Sequence, residues 1–143
     1  MNQLNIFSEK TKIGDLAFDL RQFNIPKTFY ADFRKAQAKY LYENVNGESE
    51  RTDTISKFIV PVYDNDVVKI MESAGQSCES LKAREISVLS GFDAIQNLMD
   101  EEYCGVVKMH SLRIIPKWVD AGYGGAYSDI QVVAERIEKN GNN

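Results

Sequence analysis

Apolar residues recur at helical spacing through the first third of the chain. One set predicts a helix from Lys12 to Phe23, because its members occupy positions i, i+3, i+4, i+7 and i+10: Ile13, Leu16, Ala17, Leu20 and Phe23. A second set predicts another helix, because its members would lie within about 60° of one another on the helix surface: Phe29, Phe33, Ala36 and Tyr40. Asn24 suits a helix end, and Pro26 suits the first turn of the next helix. The pattern therefore predicts an N-terminal helical hairpin that ends near residues 46–47.

Strand-like patterns follow the predicted hairpin. The polar stretch 48–53 is expected to form an exposed loop. The β-branched run 54–63 predicts a strand, which Pro61 confines to an edge, an end or a bulge. Asp64 or Asn65 is then expected to cap a short helix. Three further elements are predicted downstream: a strand over 85–89, a helix over 93–103 and a strand over 105–119.

The segment 128–139 fits two different structures. As a helix it would carry a capping box at Ser128 and Gln131, with its apolar residues on one face. As a strand it would form a hairpin with residues 106–119. We prefer the helix slightly and keep the strand as the alternative.

These elements predict an α+β fold, with the N-terminal helical hairpin followed by a small, mostly antiparallel sheet and one or two packed helices. A chain of 143 residues with 43% hydrophobic composition is the size of one ordinary domain. We therefore expect a single compact domain over residues 1–139 and a frayed tail over 140–143.

Charge is distributed unevenly along the chain. The net charge is −4, and residues 51–104 carry five basic and ten acidic groups. A net-negative chain repels phosphate at long range, so binding to nucleic acid would depend on a local basic patch. The sequence contains no apolar run of membrane-spanning length and no secretory signal pattern, so we expect a cytoplasmic protein. With only two cysteines in the chain, reduced thiols are expected.

The segment from Leu16 to Tyr40 resembles the core of helix-turn-helix DNA-binding proteins. The resemblance rests on two predicted helices separated by a short turn at Asn24, where this motif usually has glycine. It implies binding to duplex DNA through the polar face of the second helix: Lys27, Thr28, Arg34, Lys35 and Lys39. DNA binding is the second of three functional hypotheses.

The first hypothesis is a small, acidic, non-catalytic protein that binds a protein partner, as an inhibitor, an adaptor or an immunity-type factor does. An acidic cluster and a tyrosine-rich loop are compatible with such a contact surface. The residues proposed for it are Asp100, Glu101, Glu102, Tyr123 and Tyr127. The partner's identity does not follow from these residues, and a homo-oligomer is compatible with them.

Enzymatic activity is the third hypothesis, because no candidate for chemistry is supported by its spacing. The glycine-rich loop 120–128 could present amides to a phosphate if a helix followed it, but it matches no phosphate-binding motif. His110, Cys78 and Cys104 lack the close pairs typical of zinc sites or a local arrangement typical of a Cys–His nucleophile. We therefore expect no catalytic residue, no metal and no cofactor.

Overall fold

The computed structural model describes residues 16–77, 80–120, 122 and 124–140, and these are mostly β-structure. Within these residues, eight strands and two α-helices follow one another: β1 (Phe29–Asp32), β2 (Gln37–Val45), β3 (Glu48–Asp64), α1 (Asn65–Ser73), β4 (Arg84–Val88), α2 (Phe92–Asp100), β5 (Cys104–His110), β6 (Arg113–Asp120), β7 (Gly125–Ala134) and β8 (Arg136–Lys139). Two short 3₁₀ turns, Leu20–Gln22 and Phe33–Lys35, precede β1 and β2.

The sheet closes into a barrel because β7 and β8 are nearly one strand. Only Glu135 separates them, and its N–H donates to the carbonyl of His110 at 2.9 Å. β7 pairs in parallel with β4, whereas β8 pairs antiparallel with β5. Since β1 joins β5 to β3 and β3 joins β4, the strands form a ring in the order β1, β3, β4, β7–β8, β5.

Alternate residues of the ring strands fill the barrel. Phe58, Val60 and Val62 of β3 are at most 1% exposed, as are Ile86 and Val88 of β4. Because side chains alternate between the two faces of a strand, the residues between them point away from this core. The outer surface of β3 and β4 is therefore built from a separate set of side chains.

The two α-helices are short, with nine residues each. Asp64 caps α1, since its carboxylate accepts from the N–H of Asp66 at 3.0 Å, as the sequence predicted. α2 buries Ile95 and Leu98 in the barrel core. No helix in the described part of the chain is long and apolar enough to cross a membrane.

Two β-hairpins extend beyond the ring. In the first arm, defined as residues 40–55, β2 and β3 pair only with each other and turn at Asn46 and Gly47, which both have positive φ. That combination is typical of a two-residue hairpin turn. The second arm, defined as residues 115–131, contains the parts of β6 and β7 that extend past the pairing with β4.

The predicted α+β fold with an N-terminal helical hairpin is wrong. Residues 29–32 and 37–45 are strands, and residues 46–47 form a hairpin turn where we expected a helix end. The described part of the first predicted helix has only the 3₁₀ turn Leu20–Gln22, and residues 12–15 lie outside the described residues. The physical reason is that β1 hydrogen-bonds to strands on both sides, and such tertiary pairing overrides helix propensity.

Two other expectations also need correction. The preference for a helix over 128–139 is wrong, because these residues lie in β7 and β8, and β7 forms the alternative hairpin with β6. Residues 48–53, expected to be a loop, belong to β3 and are mostly exposed because only β2 pairs with them.

Candidate functional site

A groove of about 340 Å³ lies on the outer surface of the barrel, between the two arms. Its floor includes Ile59 of β3 and Ser87 of β4, which are directly opposite each other in the antiparallel register. The second arm contributes the far wall, where Lys117 of β6 lies opposite Asp129 of β7. The groove therefore spans four adjacent strands, β3, β4, β7 and β6.

The groove concentrates positive charge in an acidic protein. Four basic residues line it, Lys57, Lys82, Arg84 and Lys117, together with the acidic residues Glu85 and Asp129. The net charge of the lining is thus +2. The remaining 13 basic and 19 acidic residues of the chain give a net charge of −6. An anion is therefore attracted to this groove more than to the surface as a whole.

The four basic side chains lack acidic partners. None of them forms a salt bridge within the described residues. Arg84 donates from Nη2 to the carbonyl oxygen of Ile130 at 2.9 Å, which fixes the guanidinium across the gap between β4 and β7. Within the described residues, the two acidic side chains of the lining offset only part of the positive charge of the groove.

Positive charge also continues from the groove onto the base of the first arm. Lys39 of β2 lies directly opposite Lys57 of β3 in the antiparallel register. Like charges at such positions destabilise a strand pair. An anion bound between the two lysines would relieve this repulsion.

The arms expose large apolar and aromatic side chains. Six of the nine such side chains exposed in the described part of the chain belong to them: Leu41, Tyr42, Val45, Trp118, Val119 and Tyr127. Trp118 and Tyr127 pack edge to face, with ring centroids 5.1 Å apart, and the indole N–H of Trp118 donates to Asp120 at 3.0 Å. These rings are held in place while about half of their surface stays open to solvent.

The residues proposed for a protein contact belong to different elements of the described structure. Asp100 ends α2 and accepts a hydrogen bond from Gln96, and Glu101 pairs with Lys139 of β8 at 3.1 Å. Glu102 follows in a turn with positive φ. Tyr127 lies instead on the second arm, and Tyr123 lies outside the described residues.

The residues proposed for duplex DNA binding are not on one helix. Lys27 and Thr28 precede β1, Arg34 and Lys35 lie in a 3₁₀ turn, and Lys39 lies in β2. The helix-turn-helix resemblance is therefore wrong, because the second helix on which it depends is a strand, a turn and another strand. Of this set, only Lys39 lies directly opposite a residue that lines the groove.

The cysteine and histidine candidates have structural partners. The thiol of Cys104 donates to Asp32 at 3.2 Å, and burial together with this carboxylate raises the pKa of Cys104 to about 11. Such a thiol is a poor nucleophile at neutral pH. His110 lies 3.0 Å from Glu138, whereas Cys78 lies outside the described residues.

The phosphate-binding interpretation of the glycine-rich loop needed a helix after the loop. The described residues that follow it, from Gly125 onwards, form strand β7, so they supply no helix N-terminus to a phosphate.

Sequence reasoning missed the groove residues. Lys57, Arg84 and Lys117 are separated by 27 and 33 residues along the chain, and no local motif connects them. Each of three predicted strands has a basic residue within it or next to it. Whether these basic residues lie on the same face of the sheet depends on strand order and register.

Comparisons of this chain with protein-family models, with curated proteins and with solved structures found no match.

Proposed function

We propose that this protein binds single-stranded nucleic acid in the basic groove. The observation that supports this most directly is the group of four basic side chains around one concave surface, none of which forms a salt bridge to another described residue. Proteins that bind single strands without sequence preference combine a positively charged groove with aromatic stacking surfaces. Here the aromatic pair Trp118–Tyr127 stands on the arm that carries Lys117.

The dimensions favour a single strand over a duplex. A volume of about 340 Å³ is near the lower end of the range for ligand pockets, roughly 300–1,000 Å³, so a rigid double helix does not enter it. A flexible strand can pass through the groove and continue over its rim. From β6 to β2 the sheet is four strand spacings wide, about 19 Å, which corresponds to a short stretch of nucleotides.

The strand order also supports the proposal. A five-stranded Greek-key barrel with its ligand on the second and third strands, between the loops joining strands 1–2 and 4–5, is the arrangement of the OB-fold. This ring resembles it, since the groove lies on β3 and β4 between the two arms. The likeness is an analogy of architecture, and the charged site carries the proposal.

The test is binding of fluorescein-labelled oligonucleotides, about 16 nucleotides long, to the purified chain at about 50 and 200 mM salt. We expect binding that weakens steeply with salt, and weaker binding to a duplex of the same length. Each single substitution Lys57→Ala and Lys117→Ala should lower the slope of log K against log salt by about 0.7, as for one lost phosphate contact. Lys69→Ala on α1, exposed and outside the groove, is the matched control and should change nothing.

Absence of binding at low salt would refute the proposal. Binding that is equally reduced by the groove and control substitutions would show a non-specific charge effect and would also refute it.

A protein partner is the second candidate function, favoured by the exposed apolar residues on the arms. Tyr and Trp are enriched among the residues that dominate protein interfaces. If these residues bind a protein partner, the double substitution Trp118→Ala and Tyr127→Ala should abolish crosslinking to it. Charge reversal of Asp100, Glu101 and Glu102 tests whether the acidic cluster contributes to partner binding. Quantitative crosslinking with the wild-type chain as reference is the measurement; unchanged crosslinking in both variants would exclude these surfaces.

A further inference from the structure

We infer that the groove prefers nucleobases bearing an exocyclic amine, cytosine above thymine, and that Glu85 and Asp129 determine this preference. The inference rests on the proposed function and concerns the two carboxylates inside an otherwise basic site.

Glu85 has no partner of its own in the described structure. It lies opposite Pro61 in the β3–β4 register, and the proline side chain has no hydrogen-bond donor. No hydrogen bond or salt bridge to Glu85 occurs among the described residues, although Lys82 and Arg84 line the same groove. Its carboxylate is therefore available to accept hydrogen bonds from a ligand.

In the described structure, only one carboxylate oxygen of Asp129 accepts a hydrogen bond. Its Oδ1 accepts from the N–H of Ile130 at 2.7 Å, and the side chain stands across the strand pair from Lys117 without a salt bridge between them. Its second oxygen therefore retains acceptor capacity.

A carboxylate repels phosphate, so these two groups do not hold the backbone of a bound strand. They can accept hydrogen bonds from base edges, and carboxylates pair in this way with the N4 amine of cytosine. Thymine has no amine, and the two carbonyl oxygens beside its single N3–H repel a carboxylate. The arrangement divides the groove into basic residues for phosphates and acidic residues for amine-bearing bases.

The experiment compares oligo(dC) and oligo(dT) of equal length, at a slightly alkaline pH that keeps cytosine unprotonated. Both are pyrimidine strands, so the comparison does not set a purine against a pyrimidine. We expect oligo(dC) to bind at least about fivefold more tightly, the lower end of the discrimination seen for a good base contact.

Glu85→Gln and Asp129→Asn should each bring the affinity ratio closer to one, chiefly by strengthening oligo(dT) binding, since an amide can donate to thymine O4. Glu72→Gln, at an exposed position in α1, removes the same charge outside the groove and should leave the ratio unchanged. Circular dichroism of each variant confirms that it is folded.

Equal, salt-sensitive binding of both strands by the wild-type chain would overturn the base preference and leave the proposed function intact. A cytosine preference that survives both groove substitutions would overturn the assignment to these residues. Failure of either strand to bind would overturn the proposed function and this inference with it.

Discussion

Two similar ion pairs in this chain, Asp32–Arg34 and Asp19–Arg21, differ in how deeply the carboxylate is buried. The carboxylate of Asp32, 5% exposed, accepts from the backbone N–H and the guanidinium of Arg34. Asp19 makes the same contacts with Arg21, but both of those side chains are largely open to solvent. Burial raises the pKa of Asp32, and the hydrogen bonds from Arg34 and Cys104 outweigh it, so that the pKa lies below its usual range.

Asp32→Asn should lower the free energy of unfolding by about 2 kcal/mol at neutral pH, because hydrogen bonds to a charged, buried group are lost. A folded-state pKa below the unfolded value means that Asp32 stabilises the fold above pH about 4, and that this contribution is lost as pH falls through the lowered pKa. Urea unfolding across this range should therefore show the difference from the wild-type protein shrinking with acid.

Asp19→Asn is the matched control, since exposed ion pairs contribute little to stability. An equal loss of stability in both variants would contradict the role assigned to burial at Asp32.

At the scale of elements, the second arm depends on one close contact. Gly125 lies beneath the indole of Trp118, and a Cβ atom built on it would collide with the ring nitrogen. Gly125 lies opposite Asp120 in the β6–β7 register, and Asp120 accepts the indole hydrogen bond. Glycine at this position therefore lets the indole of Trp118 lie close against the backbone of β7.

Gly125→Ala should displace Trp118 and destabilise the protein by about 1–3 kcal/mol, as overpacking does. Trp118 is the only tryptophan of the chain, so its fluorescence emission should shift to the red without a change in far-ultraviolet circular dichroism. Ala126→Ser, at the next and exposed position, should leave the spectrum unchanged. An unaltered spectrum in Gly125→Ala would contradict the close contact.

Several elements were predictable because their signals are local. The cap at Asp64, the helix at 93–103, the strand at 85–89 and the β-branched run at 54–63 were confirmed as α1, α2, β4 and part of β3. The strand predicted over 105–119 is instead two strands, β5 and β6, separated at Ser111, which has positive φ. Asn46 and Gly47 are also a strong hairpin signal, which the helical spacing of the preceding apolar residues obscured.

At the scale of the whole molecule, barrel closure creates the site. The bend at Glu135 lets one stretch of chain pair with β4 and then with β5, which directs one set of side chains inward. The side chains on the other face of β3 and β4 then point outward and form the floor of the groove. The overall acidity of the protein does not oppose nucleic-acid binding there, because the positive charge is local and salt screens distant charges.

Local patterns in the sequence were enough to predict the cap of α1, the β-branched strands and the acidic balance. Tertiary structure alone decided that residues 29–45 and 128–139 are strands, because hydrogen bonds to partners far along the chain compensate for their helical tendencies. The tertiary structure also brings together the basic residues of the groove, which come from β3, β4, β6 and the segment before β4. Side-chain faces in a sheet depend on register, and register is set by pairing between distant segments.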